Sequence, residues 1–142
     1  MGSVVIKATS SDPTLRVYSH CSAGDRGAAT VLLINLDPKT QRTVTLHGLL
    51  YSLSERGNTS SGSGSGMLEW HLTGPDGMNA TTMALNGKLL VAKVVAGGTE
   101  YDLPSLEGEQ LSPQVTQPPV VKLAPASIAF VKVATLTGVC NP

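Results

Sequence analysis

The residues of this chain that could do chemistry are its ten acidic residues, three histidines and two cysteines. Cleavage of a glycosidic bond usually needs two carboxylates that face each other across the bond. Most of the acidic residues lie instead in predicted turns or loops: Asp12, Asp25, Asp37, Asp76, Glu107 and Glu109. The sequence offers no plausible facing pair, and we therefore predict no catalytic residue in this chain.

One short segment, Glu69-Trp70-His71, places an aromatic ring beside two polar side chains. An aromatic face next to polar groups could bind a sugar, so Trp70 and Glu69 are candidate sugar contacts. The alternative, which we favour, is a strand with Trp70 partly buried and its neighbours in solvent. Glu69 has no obvious partner in the sequence.

The remaining sequence patterns predict no metal site and no nucleophile. His20, His47 and His71 have neither metal-ligand spacing nor an HExxH pattern. The Gly-Ser run 62–66 is not a Gly-x-Ser-x-Gly nucleophile elbow, because its central residue is Gly64 and it lies in a low-complexity run without a strand-turn-helix context. His20 adjoins Cys21, but neighbouring side chains on a strand point to opposite faces. No glycine-rich phosphate loop opens a helix, and we predict no cofactor.

Length and composition indicate one globular domain over residues 1–142. The chain is 41% hydrophobic and 14% charged, with a formal net charge of zero. Its basic residues are scattered, which argues against a nucleic-acid partner. No apolar stretch approaches the roughly 20 residues of a transmembrane helix, so we expect no transmembrane segment.

Several features favour a secretory origin. Cys21 near the start and Cys140 near the end could form a closing disulfide, although two unrelated core cysteines would give the same pattern. Acceptor patterns for N-glycosylation begin at Asn58 and Asn79. Met1 is not followed by a signal peptide. We therefore expect a piece of a longer secreted protein, the alternative being a cytosolic protein.

The spacing of apolar residues predicts an all-β fold, because no window keeps helical spacing over three turns. The predicted strands are 15–21, 30–35, 42–47, 67–72 and 127–133. In the first, Leu15, Val17, Ser19 and Cys21 share one face. The apolar run 30–35 fits a strand buried on both faces, and Val44 and Leu46 are expected to point inward.

Turn signals complete the prediction. Asn86-Gly87 lies between apolar runs and predicts a hairpin over 83–90 with a type I′ turn. The segment 60–66 alternates Ser and Gly like an engineered linker and is predicted to be a flexible loop. The segment 97–119 is predicted to be irregular. Short strands with Gly and Pro between them favour a single antiparallel β-sandwich with Greek-key-like connections.

The order of several short motifs resembles the C-terminal region of heparanase and its plant relatives, in glycoside hydrolase family seventy-nine. The segments that carry the resemblance are MGSVV (1–5), LRVYSHC (15–21), LLINL (32–36), EWHLT (69–73), MALNGK (83–88), LPSL (103–106) and PASIAFV (125–131). The WHLT string at 70–73 is most similar to the plant proteins. Each motif is short, so the specificity lies in their shared order.

The resemblance implies a β-sandwich packed beside a catalytic (β/α)₈ barrel that holds the acid/base and nucleophile glutamates. That barrel is not in this sequence, so no catalytic residue is carried over. The resemblance also implies that Cys21 pairs with Cys140, and that a strand from before the barrel joins the sheet. The parent is then expected to be a glycoprotein, secreted or vacuolar-lysosomal.

Two classes of function follow. The first is a non-catalytic accessory domain of an endo-β-glucuronidase-like enzyme, which meets its carbohydrate substrate only through the parent. The second is an autonomous carbohydrate-binding or structural β-sandwich module. The isolated chain is expected to self-associate, because an accessory domain exposes an apolar patch or an unpaired strand edge.

Overall fold

The structure, a computed structural model, describes residues 2–24, 27–47, 67–90, 113–116, 119–134 and 139–140. Its elements in chain order are β1 (Val5–Ile6), β2 (Leu15–Cys21), β3 (Ala28–Asn35), β4 (Arg42–Thr45), β5 (Met67–Thr73), a 3₁₀ turn (Gly77–Asn79), β6 (Met83–Leu85), β7 (Lys88–Leu90), β8 (Gln114–Thr116), β9 (Val120–Leu123) and β10 (Ser127–Ala134). Within these ranges, no helix has the length and apolar character to cross a membrane.

Eight of the strands form one antiparallel sheet, which confirms the predicted all-β fold. The main order is β1-β2-β3-β10-β5-β6-β7, and β8 pairs with the first residues of β5. The strand β10 lies in the middle, with β3 on one side and β5 on the other. The last long strand of the sequence therefore joins the two halves of the sheet.

Alternation along the strands gives this sheet an apolar inner face. Val17 lies opposite Leu33, and Leu33 lies opposite Ala129. The prediction that Leu15, Val17, Ser19 and Cys21 share one face is confirmed: all four lie on this face, with Val17 half-buried and the other three buried. Every second side chain of β2, β3 and β10 therefore points into the core from the inner face.

The second layer is the two-stranded antiparallel sheet of β4 and β9. Val121 and Leu123 are fully buried, and Leu46 is 8% exposed, all in the same core cluster as Leu33. Val44 packs against that cluster, so the predicted inward direction of Val44 and Leu46 is confirmed. Burying side chains of this size stabilises the fold by about 1.5–3 kcal/mol each.

The outer face of the large sheet is also apolar, and it remains accessible. One row across it runs Tyr18, Leu32, Phe130 and Trp70. Tyr18 is 51% exposed and the other three are partly exposed. The prediction that 30–35 is buried on both faces is wrong, because the β4–β9 layer covers only the inner face.

The hairpin of β6 and β7 has the predicted turn. Asn86 and Gly87 have φ values of 49° and 80°, as a type I′ turn requires, and Leu85 lies opposite Lys88. A second turn lies at 74–77, where the sequence Gly-Pro-Asp-Gly is typical of a turn and the Gly77 N–H donates to the Gly74 carbonyl at 3.0 Å. Both turns were predictable because their chemistry is local.

The segment 97–119 is not irregular throughout. Its residues Gln114–Thr116 form β8, which pairs with Met67–Glu69 of β5. A strand of three residues is too short to show a periodic pattern in the sequence. Its extended conformation depends on pairing with β5. The remaining parts of these two predictions lie outside the described residues: 60–66, 97–112, 117 and 118.

The disulfide between Cys21 and Cys140 is present, with the two Cα atoms 5.4 Å apart and 119 positions apart in sequence. It joins the end of β2 to the C-terminal part of the chain. The Gly2 N–H donates to the Cys21 carbonyl at 2.7 Å. A Cβ atom at Gly2 would lie 2.6 Å from that carbonyl oxygen, so the close approach requires glycine.

A cluster around Arg42, the first residue of β4, links the loop before β2 to the loop between β3 and β4. Arg42 Nη2 donates to Asp37 Oδ2 and to Thr14 Oγ1, both at 3.0 Å. Arg42 Nε lies 3.3 Å from Asp12 Oδ2 in an ion pair. The pKa of Asp12 is lowered mainly by the side-chain hydrogen bond from Thr14. The pKa of Asp37 is lowered mainly by the backbone N–H of Lys39.

Removing the disulfide should strongly destabilise the fold. For a closed loop of this length, the chain-entropy model gives a loss of about 4–5 kcal/mol. We expect that loss in the free energy of unfolding of a Cys21→Ser/Cys140→Ser variant, measured by urea denaturation. Wild type treated with reductant is the control and should match the variant. Two free thiols in oxidised, folded wild type would contradict the assignment.

The Arg42 cluster should make stability fall in acid. A carboxyl whose pKa is lower in the folded state stabilises the fold above its unfolded pKa of about 3.9, and this contribution is lost as pH falls through the folded pKa. We expect the melting temperature of wild type to drop between about pH 5 and pH 2. The drop should be smaller in Asp37→Asn, and equal slopes for the two proteins would refute this role.

Candidate functional site

The inner face of the large sheet changes from apolar to polar at β5. Met67 belongs to the core, but the next inward residues on this strand are Glu69, His71 and Thr73. The β4–β9 layer ends nearby, and in the described part of the chain β9 pairs only with β4. A cleft of about 480 Å³ lies between them. Its lining residues are Glu69, His71, Thr73, Gln114, Thr116, Val120, Lys122 and Ala124.

Glu69 is at the centre of this polar region and is only 3% exposed. Its Oε2 lies 2.6 Å from His71 Nε2, and its Oε1 accepts a hydrogen bond from the Thr116 hydroxyl. A buried carboxylate needs such partners, because an unpaired charge in a low dielectric is costly. The expectation that Glu69 lies in solvent without a partner is wrong: β8 supplies Thr116, and that pairing is non-local.

Asn86 holds the backbone of β5 between the pairings of β8 and β6. Its side-chain oxygen accepts from the His71 N–H at 2.8 Å, and its amide donates to the Glu69 carbonyl at 3.3 Å. The Asn86 N–H also donates to the His71 carbonyl at 2.8 Å. The turn residue thus completes the hydrogen bonding of β5 behind the cleft. The Asn-Gly pair predicts the turn, but no local pattern predicts this second role of Asn86.

The two candidate sugar contacts do not come together. Trp70 lies on the outer face opposite Phe130, whereas Glu69 lies on the inner face opposite Val131. A platform made of both side chains is therefore not formed. Trp70 is partly buried, as the favoured interpretation expected.

The other predicted site residues lie elsewhere. Asn79 is exposed on the 3₁₀ turn, and Asn58 lies outside the described residues. Glycosylation at either position stays a prediction. His20 Nδ1 is 3.0 Å from the Gly2 carbonyl oxygen, and His47 is exposed. The described ranges contain no group of three or more His, Cys, Asp or Glu side chains placed to hold a metal ion.

A second, more open cleft of about 340 Å³ lies between residues 8–13 and β2. Its charged residues are already engaged. Asp12 accepts from Thr14 and pairs with Arg42, and Arg16 Nη1 donates to the Pro13 carbonyl at 2.7 Å. The cleft beside β9 is therefore the better candidate for a binding site.

Glu69 should be required for the attachment of β8. In Glu69→Ala, the donors of His71 and Thr116 lose their acceptor, and we expect the free energy of unfolding to fall by about 3 kcal/mol. Glu69→Gln is the matched control, and it should lose only about 1–2 kcal/mol because the amide oxygen still accepts one hydrogen bond. Hydrogen exchange at Val115 and Thr116 should accelerate in the alanine variant. Unchanged exchange there would contradict the assignment.

Comparison with known proteins agrees with the motif order. No protein-family model matches the chain. The chain is 35% identical to heparanase-like protein 1 of Arabidopsis thaliana over 148 aligned residues. The alignment covers 90% of this chain but 25% of that protein, so the chain spans about a quarter of the length of the relative. Nearly the whole of this chain is therefore similar to one part of a heparanase-like protein.

Proposed function

We propose that this chain is a non-catalytic accessory β-sandwich domain of a secreted or vacuolar-lysosomal, heparanase-like glycoside hydrolase. In this proposal the parent acts as an endo-β-glucuronidase, and its (β/α)₈ barrel packs against this domain. The observation that carries the proposal is the uneven coverage of the similarity: 90% of this chain matches only 25% of the relative. A chain that matches so small a part is expected to work with the remainder.

The outer face of the large sheet supports a partner within the same parent protein. Beside the row of Tyr18, Leu32, Phe130 and Trp70 lies a second apolar row. That second row contains Ile34, Ile128, Leu72 and Leu85. Contiguous apolar patches on the surface of a soluble protein often mark an interaction site. We assign the remainder of the parent chain as its occupant, because three quarters of the relative lies outside the matched region.

The polar cleft supports the absence of catalysis in this domain. Retaining and inverting glycosidases need two carboxyl groups facing each other. Among the described residues that line the cleft, Glu69 is the one acidic side chain. Both of its oxygens are engaged by His71 and Thr116. This environment suits a structural carboxylate rather than a general acid or nucleophile.

Substituting apolar residues of the outer face should weaken docking to a partner without preventing the isolated chain from folding. We expect Leu32→Thr/Phe130→Thr, which keeps strand-forming residues, to reduce self-association and hydrophobic-dye binding of the isolated chain. In the full parent, the same variant should lower stability by roughly 1–3 kcal/mol per side chain and reduce glucuronidase yield. Sedimentation, calorimetry and turnover of an aryl β-glucuronide are the measurements.

The control for this experiment is Leu89→Thr, because Leu89 is 47% exposed on the edge strand β7 and outside the two apolar rows. It should change neither association nor parent stability. A wild-type chain that stays monomeric at all concentrations and binds no dye would argue against the docking face. So would a parent that tolerates Leu32→Thr/Phe130→Thr without loss.

A further inference from the structure

We propose that the cleft between β5, β8 and β9 is a binding site for a small monocarboxylate that carries several hydroxyl groups, such as a sugar acid. Lys122 would bind the carboxylate, and the polar side chains of β5 and β8 would bind the hydroxyls. This inference goes beyond the proposed function, because the site lies entirely on this chain and requires no catalytic partner.

The side chain at the base of the cleft, Glu69, is held in place without a ligand. Glu69 is held by hydrogen bonds from two strands, through His71 of β5 and Thr116 of β8. Asn86 fixes the backbone on both sides of Trp70 through the Glu69 carbonyl and the His71 N–H. A site whose side chains are already held loses less entropy on binding. A solvated strand edge would not require this degree of order.

The charge of the cleft favours a monoanion. The Glu69 carboxylate already has His71 and Thr116 as partners. Lys122 is exposed, and within the described ranges no carboxylate lies within 4.0 Å of its ammonium group. With no acidic partner among the described residues, this single ammonium suits one carboxylate, and Glu69 would repel a dianion such as phosphate about twice as strongly as a monoanion. We therefore assign the carboxylate of the ligand to Lys122.

The remaining lining residues suit hydroxyl groups. The Gln114 amide both donates and accepts, and the Thr73 hydroxyl can do either. With Nε2 of His71 directed at Glu69, Nδ1 is the ring nitrogen left to meet a ligand. Val120 and Ala124 add apolar wall for the C–H faces of a sugar ring. The volume of about 480 Å³ lies within the usual range of 300–1,000 Å³ for small-molecule sites.

Titration of the isotope-labelled chain with sodium glucuronate, followed by NMR, tests the proposal. Glucose is the matched probe, because it has a hydroxymethyl group where glucuronate has the carboxylate. Acetate has the carboxylate without the hydroxyls. We expect saturable shifts at Thr73, Thr116 and Lys122 with a Kd of about 1 mM for glucuronate. Binding of glucose and of acetate should each be about tenfold weaker.

Variants of Lys122 locate the charge. Lys122→Gln should weaken glucuronate binding about tenfold and leave its weak glucose binding unchanged. Lys122→Arg should retain most of the affinity. The control is Lys7→Gln, an exposed lysine beside β1 at the opposite edge of the sheet, which should bind like wild type.

Three results would overturn the proposal. Equal affinity for glucose and glucuronate would remove the role of the carboxylate, and equal affinity for acetate would remove that of the hydroxyls. Glucuronate that causes no saturable shift at the cleft residues would remove the site itself. None of these results bears on the docking of the outer face, so the failure of one proposal is distinguishable from the failure of the other.

Discussion

The pairing of β10 with both β3 and β5 is the interaction on which the rest of this structure depends. Ser127 lies opposite Asn35 on one side and opposite Thr73 on the other, so one strand sets the register of the whole sheet. Buried polar contacts hold that register: Asn35 Nδ2 and the Ser127 hydroxyl both donate to the Ala124 carbonyl, at 2.8 and 2.6 Å. A slip by one residue would move Phe130 into the core and Val131 out of it.

This register produces two apolar faces that differ in what covers them. The inner face is closed by Val121 and Leu123 of the small sheet, and the fully buried side chains Leu33 and Val131 lie beneath them. The outer face has an equally apolar row, yet Tyr18 remains half exposed. A sheet with two apolar faces and one described cover is the physical basis for assigning this chain a partner. The similarity to one quarter of a longer relative agrees with that assignment.

The position at which the small sheet ends explains why polar side chains lie on the inner face of β5. Most inward positions of β2, β3 and β10 are apolar, whereas on β5 the inward positions after Met67 are Glu69, His71 and Thr73, which line the cleft beside β9. The buried Glu69 carboxylate there accepts hydrogen bonds from His71 and Thr116. The same partners that stabilise β8 therefore shape the cleft that we assign as a binding site.

By itself, the sequence determined the features that depend on neighbouring residues. Alternation in β2 identified Leu15, Val17, Ser19 and Cys21 as one face, and the Asn-Gly pair identified the type I′ hairpin, because strand period and turn conformation are local properties. The pairing of Cys21 with Cys140 followed from the family resemblance in motif order.

Only the tertiary structure decided that Thr116 comes from a distant strand to bind Glu69 and that Asn86 completes the hydrogen bonding of β5. It also decided that the described second layer covers the inner side of β3 and not its outer side. Alternation shows which residues share a face. It does not show which face another layer will cover, because that depends on contacts between residues far apart in the chain.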